Sequence, residues 1–189
     1  MRMPRRAAGT SILVVSLLFS ACPLLNPPLI QVTQDILDKE IAAFNGINSH
    51  RTSNGLNALA MNESLREVAR KHSQDMAARN FFDHVNPDGA DPGDRMSDAG
   101  IAFSVAAENI AWNNFPDPAA TAVSGWIASP DHLANIMTAG FTQTGMGVAS
   151  DGAGGFYFTQ LFISTAKNDS GLITVYFSSP LASAYRDQK

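Results

Sequence analysis

Apolar residues first recur at helical spacing just after residue 33. Ile36, Leu37, Ile41, Phe44 and Ile47 fall close to one stripe, Thr33 is placed to cap the helix, and Asn54-Gly55 stops it after about Ser53. Asn62 caps a second helix running to about Asn80. On it Leu65, Val68, Ala69, His72 and Met76 share one face, while Arg66, Glu67, Arg70 and Lys71 are expected to face water. Asn86-Pro87-Asp88-Gly89 is a turn, and Asp91-Pro92 opens a short third helix with Gly100 past its end. Residues 103–112 form an apolar run that reads as a buried strand or extended loop. Asp117-Pro118 starts a helix to about Ala128, and Ser129-Pro130 restarts a short one because proline cannot continue the hydrogen-bond ladder. After Gly140 the period changes to two: residues 144–150 and 156–164 are strands joined by a glycine-rich hairpin at 151–155. Residues 171–178 (G-L-I-T-V-Y-F-S) are a late β-branched strand. Helices first and antiparallel strands later predict an α+β fold, a small sheet covered by helices.

The N-terminus breaks this pattern. Arg2, Arg5 and Arg6 precede a short apolar core, residues 11–19 (S-I-L-V-V-S-L-L-F), and Ser20-Ala21-Cys22 closes it with small residues. That is the physical pattern of a secretory signal, with an apolar stretch too short to span a bilayer. Phe19-Ser20-Ala21-Cys22 resembles a bacterial lipobox, with Phe19 where an aliphatic residue is usual. The resemblance implies that Cys22 is acylated and ties the protein to a membrane; the alternative is ordinary secretion with a free thiol. The expected division is therefore a lipoprotein-type signal peptide at 1–21, a Pro-rich extended tether at 22–30, one domain at 31–179 and a tail at 180–189, placed outside the cytoplasm.

Composition narrows the function. The 189 residues carry a formal charge of −4, and loss of the signal removes three arginines and no acid. An acidic domain with scattered cations argues against nucleic acid as a partner. A single cysteine excludes a disulfide framework and any cysteine-cluster zinc site.

Four histidines are candidates for chemistry. His72 lies on an apolar helix stripe and reads as a packed, hydrogen-bonded core imidazole. His84 and His132 sit at element boundaries beside turns, each next to an aspartate, where a scaffold commonly presents reactive groups. Glu108 is the one carboxylate in an apolar run, so it must be paired, hydrogen-bonded or bound to metal. His84, Glu108 and His132 match no local metal motif, but two imidazoles and a carboxylate would suit a divalent ion such as zinc if they converged. Ser129 and His132 lie three apart, with no evident third member of a hydrolytic triad.

Several segments together resemble one family. They are residues 54–59 (N-G-L-N-A-L), 69–77 (A-R-K-H-S-Q-D-M-A), 81–89 (F-F-D-H-V-N-P-D-G), 107–112 (A-E-N-I-A-W), 125–137 (G-W-I-A-S-P-D-H-L-A-N-I-M), 145–148 (G-M-G-V) and 157–160 (Y-F-T-Q). In order and spacing they resemble the bacterial branch of the CAP superfamily: cysteine-rich secretory, antigen 5 and pathogenesis-related 1 proteins, also called SCP-domain proteins. The likeness covers about residues 36–164. It implies a three-layer α-β-α sandwich with a central antiparallel sheet. It also implies a cavity lined by two histidines and two acids, which binds a divalent ion in some members. The histidines would be His84 and His132 and the first acid Glu108; the second acid position falls on Ser129, which adds no negative charge. The family's eukaryotic disulfides are absent, and residues 113–116 offer no clear counterpart of the sterol-associated loop. Because most members have no established activity, the resemblance implies a non-catalytic binding module for a small molecule, lipid or cell-wall ligand. The alternatives are a metal-dependent hydrolase of envelope peptide or glycan, with Glu108 acting on metal-bound water, and a structural or adhesive surface protein.

Overall fold

A computed structural model describes residues 32–164 and the backbone of a strand at 174–177. The signal, Cys22, the tether and the tail lie outside the described residues. The elements run α1 (Gln34–Ser53), β1 (Ala60–Met61), α2 (Glu63–Arg79), α3 (Pro92–Asp98), β2 (Val105–Asn113), α4 (Pro118–Ala128), α5 (Pro130–Met137), β3 (Gln143–Ser150), β4 (Phe156–Ser164) and β5 (Thr174–Phe177).

The helix starts follow from capping chemistry. Thr33, Asn62 and Asp117 side chains each accept from a backbone N–H three residues on, and Asp91 with Asp94 forms a reciprocal capping box on α3. Helix α2 ends at Asn80, which takes the left-handed conformation at φ 53°.

The five strands lie in the order β1-β3-β4-β2-β5. The central three are antiparallel, as expected; the two outer pairs, β1 with β3 and β2 with β5, are parallel. Strand β1 has two residues, too few to show a period, and the sequence pattern does not predict it.

Alternation along the strands builds two cores on opposite sheet faces. Ala106, Leu161 and Ile163 pack with Leu65, Val68 and Ala69 of α2 and Met96 of α3. Ala107, Ala111, Met146, Val148, Phe158 and Phe162 pack with residues of α1, α4 and α5, among them Ile47, Trp126 and Ile136. The result is the three-layer α-β-α sandwich. Gly145 and Gly147 let α2 press directly on β3: a Cβ at Gly147 would stand 2.0 Å from the Arg70 backbone nitrogen.

Two sequence expectations are corrected. Ile41, assigned to the buried stripe of α1, is 42% exposed, and the inward face is Glu40, Ala43, Ile47 and Arg51. Arg66 and Arg70, expected to face water, clasp buried Glu40: Arg66 Nε donates at 2.7 Å, and Arg70 donates through Nε at 2.8 Å and Nη2 at 2.7 Å. A buried acid draws cations inward, which hydropathy alone does not show.

Candidate functional site

Strand β2 turns Glu108 to the α2–α3 face, between Ala106 and Ile110, and buries it completely. Three neighbours meet its carboxylate there. His84, from the segment after α2, places Nδ1 2.7 Å from Oε1. Arg95, on α3, donates from Nη2 to Oε2 at 2.7 Å. The same guanidinium donates through Nη1 to the main-chain oxygens of His84, at 2.8 Å, and Ala90, at 2.9 Å. His72 of α2 sits with Nε2 4.0 Å from Oε1 and 3.0 Å from the Asp83 main-chain oxygen. A carbonyl only accepts, so Nε2–H donates to Asp83, and Nδ1 of the neutral ring is an acceptor.

The electrostatics follow from this packing. Burial works against ionising Glu108, yet His72 in its protonated form, the hydrogen bond from His84 and the Arg95 charge outweigh it and hold the carboxyl below its usual range. Burial also lowers His72, against the pull of Glu108, so that ring carries little charge at neutral pH. The permanent cation beside Glu108 is therefore Arg95.

His132 approaches from the opposite layer, on α5. Ser129 precedes that helix but does not cap it with its side chain; its Oγ lies 2.8 Å from His132 Nδ1 instead. The imidazole is fully buried, and Nε2 has no hydrogen-bond partner among the described residues. Burial, with the nearby His84 adding to it, lowers the His132 pKa to about 4 despite Asp131. Two buried amides brace this helix against β2: Asn109 Nδ2 donates to the His132 main-chain oxygen at 3.2 Å, and Asn135 Nδ2 donates to Asn109 Oδ1 at 2.9 Å.

The structure thus puts His84 and Glu108 in direct contact, while His132 is seated on Ser129 in the opposite layer, near enough to His84 for that ring to oppose its protonation. Sequence reasoning missed Arg95 and the part His72 plays beside Glu108. Two signals were available: a lone acid in an apolar strand demands a partner, of which a cation is one kind, and Arg95 lies on a short helix with strong start signals. His72 is the core imidazole expected, and it also borders the cluster. His72 and Arg95 further form part of a groove of about 360 Å³ lined also by Lys71, Gln74, Asp75 and Asn86.

A divalent ion does not fit these residues as they stand. Both Glu108 oxygens are engaged, one by a guanidinium, and Ser129 supplies no second charge. Among the described residues no group of three or more His, Cys, Asp or Glu is placed to share a metal ion. The expected ligand set of His84, Glu108 and His132 is therefore not assembled as a metal site: the arginine has taken the carboxylate.

Comparison with known proteins agrees with the fold. The sequence model of the cysteine-rich secretory protein family (CAP) matches residues 44–162. The uncharacterized protein YkwD of Bacillus subtilis (strain 168) is 38% identical over 117 residues, 61% of this chain and 43% of that protein. The uncharacterized membrane protein YlbC of the same organism is 36% identical over 116 residues, 61% of this chain and 32% of that one. The chain therefore spans less than half the length of the curated relatives it matches. The crystal structure of an extracellular SCP-domain protein from Bacillus anthracis str. Ames superposes with a TM-score of 0.62 and 31% identity, covering 70% of this chain and 44% of that one. An outer surface protein from Borrelia burgdorferi shares the fold, with a TM-score of 0.62 and 19% identity over 67% of this chain and 92% of its own. With the family match spanning the segments that carry His84, Glu108, Ser129 and His132, this chain belongs to the cysteine-rich secretory protein (CAP) family.

Proposed function

We propose that the chain is an extracytoplasmic, non-catalytic CAP module whose His84–Glu108–His132 region binds a small hydrogen-bonding ligand of the cell envelope. The observation that carries this reading is His132 Nε2, a fully buried polar atom with no partner among the described residues, as are His72 Nδ1 and Arg95 Nε of the Glu108 cluster. An unmatched buried polar atom costs roughly 1–3 kcal/mol, so a fold that keeps one gains by supplying its partner from outside. Glu108 is held ionised by its neighbours and is correspondingly a weak base, which disfavours the hydrolase reading. The placement outside the cytoplasm, anchored through acylated Cys22, rests on the signal-like N-terminus. The extracellular and membrane descriptions of similar proteins support its coarser half.

The test is an NMR screen of labelled protein against wall glycan, wall peptide and lipid fragments, following the His132 imidazole nitrogens. The expected result is a saturable shift at Nε2 that His132→Ala abolishes. A library that leaves those nitrogens unmoved, or turnover of a wall fragment that Glu108→Gln abolishes, overturns the reading.

A further inference from the structure

We infer that Arg95 is the resident cation of this site, and that it makes the cluster selective against divalent metal ions. The inference rests on the geometry of the cluster and not on the ligand reading above.

Three observations carry it. First, the guanidinium is fixed: Nη1 is committed to the main-chain oxygens of both His84 and Ala90, and the side chain is only 11% exposed. It is held by the fold and is not a surface cation that happens to lie near an acid. Second, its Nη2 takes Oε2 of Glu108, while His84 takes Oε1. An incoming ion would have to displace a charged donor from the carboxylate that His84 and Arg95 share. Third, the local charge is already balanced. Glu108 contributes one negative charge and Arg95 one positive. A divalent ion entering a buried, neutral cluster meets repulsion from the guanidinium with no net attraction to offset it.

The donors around Glu108 would otherwise be suitable. His84 Nδ1 lies 2.7 Å from Oε1. An imidazole and a carboxylate are ligand types that suit zinc or cobalt once the carboxylate is released. Arg95 is thus a specificity-determining residue: with it the site excludes divalent ions, and without it His84 and Glu108 become cation ligands.

The experiment titrates Co²⁺ and Zn²⁺ into wild type, Arg95→Met and Arg95→Gln near pH 7.5. Calorimetry measures affinity, the visible cobalt spectrum reports coordination, and circular dichroism first checks the fold of each variant. The expected result is no saturable, histidine-linked binding to wild type. One ion should bind whichever neutral variant folds, at least about tenfold more tightly than wild type. Adding His84→Ala should remove that gain. Stoichiometric binding to wild type that shifts the His84 ring resonances overturns the inference without recourse to any variant. So does a folded neutral variant that gains nothing. A wild type that binds no envelope fragment ends the ligand reading and leaves this inference standing, so the two failures are distinct.

Discussion

Ser129 Oγ and His132 Nδ1 are 2.8 Å apart, and the serine gives up its helix-capping role to make that contact. The pairing fixes the ring and directs Nε2 away from the serine as the unsatisfied atom. It also leaves the imidazole in surroundings that oppose its protonation, with the pKa lowered to about 4 by burial and His84. The folded protein therefore keeps His132 neutral across a pH range in which the unfolded chain would take up a proton near about 6.5. The sign follows directly. Stability from this group is fully present above about pH 6.5 and is lost as pH falls to and below 4, by roughly 3 kcal/mol in all. Urea midpoints measured from about pH 7 to 4 should fall, and His132→Gln should flatten part of that slope. A slope unchanged by the substitution would remove His132 as its source.

Glu108 and Arg95 should behave as one unit. Glu108→Gln leaves a buried guanidinium without its counter-charge, and Arg95→Met leaves a buried carboxylate that has lost its permanent cation. Each is expected to cost about 3 kcal/mol, near the lower end for breaking a buried pair. The double variant should cost less than the sum by more than about 1 kcal/mol, because each single change strands the other partner. Denaturant unfolding of the four proteins measures the cycle; strict additivity would mean that the contact is energetically idle.

A second buried acid holds the scaffold. Glu40 on α1 accepts from Arg66 and Arg70 on α2, and Val148 N of β3 donates to it at 3.2 Å, so one carboxylate joins two helix layers across the sheet. Glu40→Gln should destabilise by roughly 2–4 kcal/mol, whereas Glu67→Gln, whose carboxylate is half-exposed, should stay within about 0.5 kcal/mol. Thermal melts of the two variants side by side decide this; similar losses would show that burial at Glu40 confers nothing special.

Glu40 also explains where the sequence was legible. Helix starts, strand alternation and the placing of Glu108 in an apolar run are local signals, and the structure follows them from Thr33 through β4. The helix face of α1 was misjudged because an apolar Ile41 outranks an adjacent Glu40 on any hydropathy reading. Which residue is buried depended on Arg66 and Arg70, 26 and 30 positions away. The site divides the same way. His84, Glu108 and His132 stood out by local context and motif, while Arg95 joined them only because α3 packs beside β2. That one tertiary contact pairs Glu108 with a cation, and although the lone acid announced the need for a partner, no local pattern named Arg95 as the one.

Gly147 links this packing to the site. Its Cβ position lies 2.0 Å from Arg70 N and 2.3 Å from Ala69 C, both backbone atoms that cannot rotate away. Its carbonyl accepts from Ser73 Oγ at 3.0 Å, so the same contact that brings α2 onto β3 also sets the helix turn carrying His72. Gly147→Ala must push α2 off the sheet. The expected cost is about 3 kcal/mol or more, at the upper end for overpacking because backbone and not side chain would have to yield. Gly140→Ala, with nothing within 4 Å of its Cβ, is the control and should stay within about 0.5 kcal/mol. If Gly147→Ala still folds, the displaced helix should weaken the hydrogen bond from His72 Nε2 to Asp83 and move the His72 ring resonances. A variant as stable as wild type, with an unmoved His72, would show that α2 has slack at this contact and that the Gly-x-Gly spacing in β3 does not position the ring.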